Sequence, residues 1–300
     1  MSERFPFVAN PPCFVPPPHA CDCHIHVFGP AANYPYVEGR TYTPPEALPE
    51  DGLTMLHTLG MERVVLVQPS IYGTDNSRML DAMATLGKMA RGVAVVADEV
   101  PKSELERLHA AGVRGLRLNV EAVERGDFEE FARRMNHLAR RICDIDWHLE
   151  LHVGPHLLEA LVPVVEGLPV DIVFDHMAKI PADEAPDHPG LAAVQHMLRG
   201  GHCWLKLSGA YRVSRKGEHY EDVAQLAIAL LDANPDRIVW GSDWPHTPPH
   251  SRYPAPDGEV MPFWQLDTGQ LLDLLADWVP DELLRKGILV KNAARLYDFD

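Results

Sequence analysis

The sequence predicts one α/β domain folded as a (β/α)8 barrel, and two observations support this fold class. Apolar segments with the composition of buried strands alternate with amphipathic helical segments along the whole 300-residue chain. A doubly wound open sheet would usually have a glycine-rich phosphate-binding turn after its first strand. Here Gly29-Pro30 and a long irregular segment follow the first predicted strand instead. The alternation without that turn favours the barrel.

Eight segments are predicted to form the strands of the barrel. They are rich in Val, Ile and Leu, as is typical of strands buried on both faces. In chain order they cover residues 22–28, 63–68, 92–97, 113–119, 147–152, 171–175, 203–208 and 237–241. Because side chains alternate along a strand, we expect Cys21 and Cys23 to face the surrounding helices, opposite to His24 and His26.

Six amphipathic segments between and after these strands are predicted to be helical. They cover residues 104–111, 127–141, 155–166, 191–198, 220–233 and 281–297. The Ser-Glu-Leu-Glu sequence at 103–106 predicts a capping box at the start of the first, and Gly112 is expected to close it. In the second, Phe131, Met135 and Leu138 recur at helical spacing, which predicts a helix with one buried face.

The chain is expected to form a single domain preceded by an arm. Prolines, including Pro16-Pro17-Pro18, interrupt residues 1–20, which are predicted to be an extended Pro-rich N-terminal arm. Residues 21–300 are predicted to form the barrel. The same prolines leave no signal-peptide core, which favours the cytoplasm. A long Pro-rich polar segment at 247–267 is expected to cover the mouth of the barrel.

Composition and charge exclude several classes of function. No apolar run approaches the roughly 18–20 residues that cross a bilayer, so no membrane interaction is expected. The formal net charge is −16, whereas nucleic-acid-binding proteins are usually basic. Five cysteines without a secretory signal indicate reduced thiols. The sequence leaves open whether the chain forms a homo-oligomer. An anionic substrate would need local cations in the site, because the net charge of the chain repels it.

The candidate active site begins with the histidines at positions 24 and 26. Residues at i and i+2 of a strand lie on the same side, so both imidazoles should point into one small volume. Such a pair suits a metal ion or an oxygen that develops negative charge, although two unrelated histidines in a strand would have the same spacing. Asp243 ends the last predicted strand, next to the first in a closed barrel. It is a candidate for the same site, with a structural hydrogen bond as the alternative.

Further polar residues lie at the C-terminal ends of the predicted strands, where active sites of this fold form. Arg117 and Arg212 are candidates for binding an anionic substrate, with ion pairs inside the barrel as the alternative. His152 is either functional or hydrogen-bonded to a neighbouring strand. Buried polar groups are costly unless they have partners or a function. The remaining candidates are Ser70 and Tyr72 after the second strand, His176 after the sixth, and Lys206 on the seventh.

At these positions the sequence resembles the amidohydrolase superfamily, and within it the amidohydrolase-2 type that includes lactonases of carboxylated rings. The segments that carry the resemblance are His24-Ile25-His26, Asp175-His176 and Trp240-Gly241-Ser242-Asp243-Trp244-Pro245-His246. It extends over nearly the whole chain. The resemblance implies a distorted (β/α)8 barrel in which Asp243 is the catalytic general base on water, while His24, His26 and His176 surround the substrate carbonyl.

The resemblance also implies substrate-binding residues, and the chain departs from the pattern at some of them. Arg117 and Arg212 match carboxylate-binding arginines, and Tyr42 matches a substrate-binding tyrosine; Ser70, Tyr72 and Lys206 complete the predicted set. Lysine stands at 179, where those lactonases have an arginine, which weakens bidentate recognition of a carboxylate. A second arginine of the pattern falls near Val123.

His152 takes the place of a tyrosine in this group and raises the question of a metal. With it, His24, His26, His152, His176 and Asp243 resemble the ligand set of metal-dependent superfamily members. One divalent ion, zinc or manganese, is therefore a candidate cofactor, and metal-free catalysis is the alternative.

The predicted function is hydrolysis of a carboxylated lactone, a 2-pyrone-4,6-dicarboxylate-like or muconolactone-like ring, in aromatic-acid or sugar-acid catabolism. The partner is then a small anionic lactone. Three alternatives stay open: a metal-dependent decarboxylase of the same superfamily, a lactone isomerase, and a non-catalytic binder of a small ligand.

Overall fold

The computed structural model describes residues 5–120, 127–217, 219–248 and 259–300. Eight parallel strands follow one another around one sheet in chain order. They are β1 (Cys21–Ile25), β2 (Arg63–Val67), β3 (Ala90–Ala94), β4 (Val113–Val120), β5 (His148–Val153), β6 (Ile172–Phe174), β7 (Cys203–Leu207) and β8 (Ile238–Trp240). After β8 the chain returns to β1, where Asp243 N donates to His24 O (2.9 Å). The sheet is a nearly closed barrel, and the predicted fold class is confirmed.

Helices connect the strands and surround the barrel. They are α1 (Pro49–Leu59), α2 (Ser77–Leu86), α3 (Lys102–Ala110), α4 (Phe128–Ile142), α5 (Leu158–Glu166), α6 (Pro189–Gly200), α7 (Ala210–Val213), α8 (Val223–Ala233), α9 (Thr268–Trp278), α10 (Glu282–Lys286) and α11 (Ala293–Tyr297). All eight predicted strands are present, and each of the six predicted helical segments contains helix. The helices α1, α2, α7 and α9 were not predicted.

One detail of the predicted helices is wrong. The first predicted helix, α3, begins at Lys102 with Pro101 at its N-cap, so Ser103 lies inside the helix and is not the cap. Proline has its φ already fixed near the helical value, and it suits the start of a helix because its missing N–H would be unpaired there. The C-terminal segment is helical from Glu282 to Tyr297, as predicted, with a π-helical turn at Gly287–Asn292 between α10 and α11.

The apolar core lies on both faces of the sheet. The larger part fills the space between the strands and the helices. The smaller part, here called the lower layer, lies inside the barrel on the side that carries Glu150 and Lys206. It comprises Cys21, Cys23, Val65, Val67, Val93, Val173, Trp204 and Val239, closed by Ala293, Leu296, Tyr297 and Phe299. The prediction that Cys21 and Cys23 face the helices is therefore wrong. The pairing of β1 with β2 is irregular between Asp22 and Ile25, and such an irregularity changes which side chains point inward.

The N-terminal segment packs against the C-terminal part of the chain. Described residues 5–20 contain no helix or strand, but Val8 forms an isolated β-bridge with Asp267. The rings of Phe7 and Trp244 have centroids 4.8 Å apart. The division into an arm at 1–20 and a barrel at 21–300 stays a prediction. Of the segment predicted to cover the mouth, residues 249–258 lie outside the described residues. No helix in the described ranges is long and apolar enough to cross a membrane.

Candidate active site

Six of the predicted site residues, among them the four predicted to be catalytic, come together inside the barrel at the C-terminal ends of the strands. Because parallel strands all end at the same side of the barrel, side chains far apart in the sequence converge there. All of them are at most 4% exposed. They are His24 on β1, His26 just after it, His152 on β5, His176 after β6, Lys206 on β7 and Asp243 after β8.

Two parts of the site have backbone φ angles in the left-handed region. The four residues from His176 to Lys179 have φ between 48° and 54°, and Asp243 has a φ of 61°. For residues other than glycine this conformation costs roughly 1–2 kcal/mol each, because Cβ lies close to the next carbonyl oxygen. Such strain persists only where the surrounding structure imposes it, and it is common at functional sites. Here it accompanies the turns that bring His176 Nε2 to within 3.9 Å of Asp243 Oδ2.

The two carboxylate oxygens of Asp243 have different surroundings. Oδ2 accepts hydrogen bonds from the Tyr211 hydroxyl (2.6 Å) and from Arg212 Nε. Oδ1 accepts none from any described residue, and it lies 3.7 Å from His24 Nε2 and 3.8 Å from His26 Nε2. Burial alone would raise the pKa of Asp243, but the charge of Arg212 holds it well below its usual range. Asp243 is therefore an ionised carboxylate with one oxygen held by two donors and the other facing the imidazoles.

His24 and His26 form a pair of neutral imidazoles. Their Nε2 atoms lie 3.2 Å apart, and His26 Nδ1 lies 2.7 Å from the carbonyl oxygen of Val67. Burial lowers the pKa of His24 to about 4 and that of His26 well below its usual range. A neutral imidazole has one N–H and one lone pair. Since a carbonyl oxygen only accepts, the proton of His26 is on Nδ1 and its Nε2 lone pair faces His24.

His176 and His152 contribute two further imidazoles. His176 Nδ1 is hydrogen-bonded to Ser208 Oγ (2.9 Å), and burial lowers the pKa of His176 well below its usual range. The rings of His152 and His176 have centroids 5.3 Å apart. His152 Nδ1 lies 3.9 Å from Asp175 Oδ2. His176 therefore faces the Asp243 carboxylate, and His152 faces Asp175.

Four buried charged residues, here called the charged cluster, lie beside His24: Arg117, Glu150, Asp175 and Lys206. Lys206 Nζ contacts Glu150 Oε2 and lies 3.4 Å from Asp175 Oδ1, while Arg117 Nη2 lies 3.1 Å from Asp175 Oδ2. Burial and the charge of Asp175 raise the pKa of Glu150 to about 7. Burial would also raise the pKa of Asp175, but the charges of Lys206 and Arg117 hold it well below its usual range. The cations of this cluster are thus matched by buried carboxylates.

The two arginines predicted to bind substrate are both paired with carboxylates of the protein. Arg117 is hydrogen-bonded to Asp175 and lies 3.8 Å from Glu150 Oε1. Arg212 donates to Asp243 and, through Nη2, to Thr247 Oγ1 (2.9 Å). The ion pairs named as the alternative are present, and contact of either arginine with a substrate stays a prediction.

The other predicted substrate residues lie near the first and second strands. Burial raises the pKa of Tyr42 well above its usual range, against the opposing charges of Arg117 and Arg212 and a hydrogen bond with Ser70. The Tyr72 hydroxyl accepts a hydrogen bond from Gly29 N (2.8 Å) and so holds the loop after β1. Tyr42 is therefore close to both arginines, whereas Tyr72 contacts the backbone. Their contacts with a substrate also stay predictions.

Two groups of described side chains have atoms close enough to hold a metal ion: His24, His26 and Asp243, and His24, Asp175 and His176. In the first group, His24 Nε2 lies 3.2 Å from His26 Nε2, and the two nitrogens lie 3.7 and 3.8 Å from Asp243 Oδ1. These distances are near the roughly 3.4 Å that separates tetrahedral ligands of a zinc ion bound at about 2.1 Å. The protonation pattern does not fit, however. Lys206 Nζ lies 3.1 Å from His24 Nδ1, and an ammonium only donates, so the proton of His24 is on Nε2. A protonated nitrogen cannot be a metal ligand.

Sequence reasoning did not select Tyr211, Glu150 or Asp175 as site residues, and the structure places all three in the site. The available signal for Glu150 was alternation, because it lies two residues before His152 on the same face of β5. Asp175 stands beside His176 in one of the motifs. Tyr211 had no signal beyond its position next to Arg212, since its contact with Asp243 arises from the turn after β7.

The chain is similar to proteins of known activity over almost its whole length. The family model described as amidohydrolase matches residues 21–299. The 4-sulfomuconolactone hydrolase of Rhizobium radiobacter is 36% identical over 96% of this chain and 92% of the relative. The 2-pyrone-4,6-dicarboxylate hydrolase of Comamonas testosteroni is 35% identical over 96% and 94%. The D-galactarolactone isomerase of Agrobacterium fabrum is 30% identical over 94% and 91%. With the site motifs inside the matched range, this chain belongs to the amidohydrolase family.

Proposed function

We propose that this protein hydrolyses a carboxylated lactone with Asp243 as the general base. One observation carries the proposal: the ionised carboxylate presents Oδ1, which no described residue binds, 3.7 and 3.8 Å from two imidazoles. A general base close to hydrogen-bond donors that can stabilise negative charge is what ester hydrolysis requires. The names of the two hydrolase relatives support a sulfonated or carboxylated ring, such as a muconolactone-like or 2-pyrone-4,6-dicarboxylate-like lactone.

In the proposed reaction a water molecule at Asp243 Oδ1 attacks the ring carbonyl. Asp243 accepts a proton from the water while the water oxygen bonds to the carbonyl carbon. The ring C–O bond then breaks, and the departing ring oxygen takes the proton back from Asp243. The net reaction adds one water molecule and yields a ring-opened acid.

In the proposed reaction, His176 stabilises the developing negative charge. When the Ser208 hydroxyl donates to Nδ1 (2.9 Å), the proton of the neutral imidazole is on Nε2, which lies 3.9 Å from Asp243 Oδ2. An N–H in this position can donate to the carbonyl oxygen as it becomes an oxyanion. His24 and His26 engage each other through Nε2, so they line the position of the water beside Oδ1.

The low pKa of Asp243 has two opposite effects on this reaction. It keeps the carboxylate ionised near neutral pH, so the base is present without activation. It also makes the base weak, because a proton acceptor loses strength as its pKa falls. An activated ring ester therefore suits this site better than an unactivated amide. A pyrone-like ring meets the requirement, since its ring oxygen leaves as a stabilised enolate.

Arg212 supplies the local cation that an anionic ring needs. It bridges Asp243 and Thr247, and its side chain is 9% exposed. A carboxylate of the substrate beside this guanidinium would gain a charge-assisted hydrogen bond of roughly 1.5–3 kcal/mol. Such local attraction offsets the repulsion expected from the net charge of −16.

The test is turnover of a panel of carboxylated lactones by the wild-type chain and by Asp243→Asn. Opening an ester ring releases an acid, which a pH-stat measures as uptake of base. Asp243→Asn should lose at least about 10²–10³-fold in kcat while its melting temperature stays close to wild type. The matched control is Asp171→Asn, because Asp171 also accepts from an aromatic donor and an arginine, Trp204 and Arg237, but outside the site. Near-normal turnover in Asp243→Asn would contradict the assignment.

The same panel separates the alternative reactions. The relationship to a lactone isomerase makes isomerisation the second candidate, and proton NMR would then show a new lactone without uptake of base. Release of carbon dioxide would indicate a decarboxylase, and tight binding without turnover a ligand-binding protein. A requirement for zinc or manganese is tested by elemental analysis and by activity before and after chelation. The cytoplasmic location and the homo-oligomer stay predictions.

A further inference from the structure

A directed chain of hydrogen bonds runs through the site from Lys206 to the carbonyl group of Val67. It links Lys206 Nζ to His24 Nδ1 (3.1 Å), His24 Nε2 to His26 Nε2 (3.2 Å), and His26 Nδ1 to Val67 O (2.7 Å). An ammonium group can only donate and a carbonyl oxygen can only accept, whereas each neutral imidazole does one of each. The two ends therefore fix the direction of every link. The proton of His24 lies on Nε2, and that of His26 lies on Nδ1.

Asp175 competes with Lys206 for His24 Nδ1. Its Oδ1 lies 3.2 Å from Nδ1, and a hydrogen bond there would need the opposite tautomer, with the proton on Nδ1. In the structure the two groups are close but not aligned for a hydrogen bond, and Asp175 Oδ1 accepts none from any described residue. Lys206 Nζ does have that geometry with Nδ1. Lys206 is therefore the partner that decides between the two tautomers.

Lys206 is held in this position by its own surroundings. Its side chain is fully buried, and Nζ contacts Glu150 Oε2 and lies 3.4 Å from Asp175 Oδ1. A buried ammonium needs such carboxylates, since an unpaired charge in the interior is strongly unfavourable. The two carboxylates therefore fix the donor that faces His24.

We infer that Lys206 sets the tautomer of His24, and that it thereby makes His24, His26 and Asp243 a hydrogen-bonded group instead of a divalent-metal site. With Lys206 donating, His24 Nε2 carries a proton and has no lone pair to offer an ion. Without Lys206, a rotation of the Asp175 carboxylate would let His24 Nδ1 donate to Oδ1, which lies 3.2 Å away. Two Nε2 lone pairs and Asp243 Oδ1 would then face one another. A carboxylate behind a histidine whose other nitrogen faces two more ligands is the usual arrangement of a metal site. Lys206 is thus a positioning residue that acts through His24.

The tautomer itself is the first measurement. Long-range proton–nitrogen correlation spectra of protein with ¹⁵N-labelled histidine show which ring nitrogen carries the proton. Resonances are assigned with His24→Asn and His26→Asn. The expected result is Nε2–H at His24 in the wild-type chain and Nδ1–H in Lys206→Met. A wild-type chain with Nδ1–H at His24 would overturn the inference.

Zinc affinity is the second measurement, made by calorimetry with the metal alone. Lys206→Met should bind one zinc ion at least about 10–100-fold more tightly than the wild-type chain, the range typical of changes behind a metal ligand. Cobalt bound to the same variant should show the visible absorption of a four-coordinate site. No gain in affinity would overturn the inference.

Arg117→Gln is the matched control, since removal of any buried positive charge could favour a cation. Arg117 also contacts Asp175 and Glu150, but its hydrogen bonds go to Asp175. This variant should keep Nε2–H at His24 and gain much less zinc affinity than Lys206→Met. An equal gain in both variants would mean that charge alone decides, and the inference would fail.

Lys206→Met removes the ion pair of buried Glu150 with Lys206, which destabilises the folded variant. The double variant Lys206→Met/Glu150→Gln removes both charges of the pair and keeps the same expectations. The tautomer of His24 in the wild-type chain is measured with Lys206 in place, so that test does not depend on the stability of the Lys206 variants. None of these readouts uses turnover, so failure to hydrolyse any lactone would contradict the proposed function and leave this inference standing.

Discussion

Inside the barrel, the lower layer and the charged cluster occupy neighbouring positions on the same strands but are built from opposite kinds of side chain. Trp204 belongs to the lower layer, whereas Lys206, two residues later on the same face of β7, belongs to the charged cluster. The same change occurs at β6, where Val173 belongs to the lower layer and Asp175, two residues later, belongs to the charged cluster. The change from apolar to charged therefore takes place within one alternation of the strand.

This difference shows that stability and chemistry come from different levels of the same strands. Burial of apolar area stabilises the lower layer by roughly 25 cal/mol per Å². Buried ion pairs at best offset their own desolvation, so the charged cluster contributes little net stability. We therefore expect substitutions around Asp243 to change turnover more than stability, and substitutions in the lower layer to do the reverse.

The largest effect is expected from the replacement of His176, with the buried histidine His148 as the comparison. His176→Ala should lower kcat by about 10²–10³-fold, because it removes the N–H proposed to stabilise the oxyanion. His148→Ala is the matched control: His148 is equally buried, but its ring lies 5.3 Å from that of Tyr297, on the side of the lower layer. Steady-state kinetics and thermal unfolding of both variants make the comparison.

The two histidines should therefore differ in which property they change. His148→Ala should keep kcat within about twofold and lower the melting temperature, because it leaves a cavity in a packed interior. A loss of turnover in His148→Ala as large as in His176→Ala would mean that the two levels are not functionally separate.

The next effect concerns the lower layer alone. Val239 is fully buried and pairs in register with Lys206 on the neighbouring strand. Val239→Ala removes two methyl groups and should lower the free energy of unfolding by about 2 kcal/mol with little change in kcat. Urea unfolding followed by circular dichroism measures the first quantity. A stability like that of the wild-type chain would show that the lower layer does not hold the barrel together.

Much of the fold could be predicted because its signals are local. Eight apolar runs of strand length, separated by amphipathic helices, leave few architectures open. The convergence of His24, His26, His176 and Asp243 also followed from the sequence, since the fold brings strand ends together. The residues were found because each motif lies at such an end.

The remaining site features depend on contacts that no local pattern encodes. The irregular pairing between Asp22 and Ile25 turns Cys21 and Cys23 inward, and strand alternation alone predicts the opposite. The pairing of Arg212 with Asp243 depends on the turn after β7. Glu150 and Asp175 pair with Lys206 and Arg117, which lie on other strands. The direction of the hydrogen bonds from Lys206 to Val67 becomes visible only when donors and acceptors are placed in space.

Tyr211→Phe sharpens the comparison at the level of single hydroxyl groups. The Tyr211 hydroxyl donates to Asp243 Oδ2 (2.6 Å) and so helps to orient the proposed base. Its removal should lower kcat by roughly tenfold, which corresponds to about 1.4 kcal/mol in the transition state. KM should change little, because Tyr211 acts through Asp243 and not on the substrate. A change confined to KM would place Tyr211 in substrate binding instead.

Tyr297→Phe is the matched change in the lower layer and should have the smallest effect. The Tyr297 hydroxyl is buried and has no hydrogen-bond partner among the described residues. An unpaired buried polar group is unfavourable, so the variant should unfold at a slightly higher temperature, with a gain of about 1 kcal/mol. Its kcat should equal that of the wild-type chain, because the hydroxyl does not contact Asp243. Removal of the same atom from two buried tyrosines would then lower turnover at Tyr211 and raise stability at Tyr297. A loss of turnover in both variants would refute the separation of the two levels.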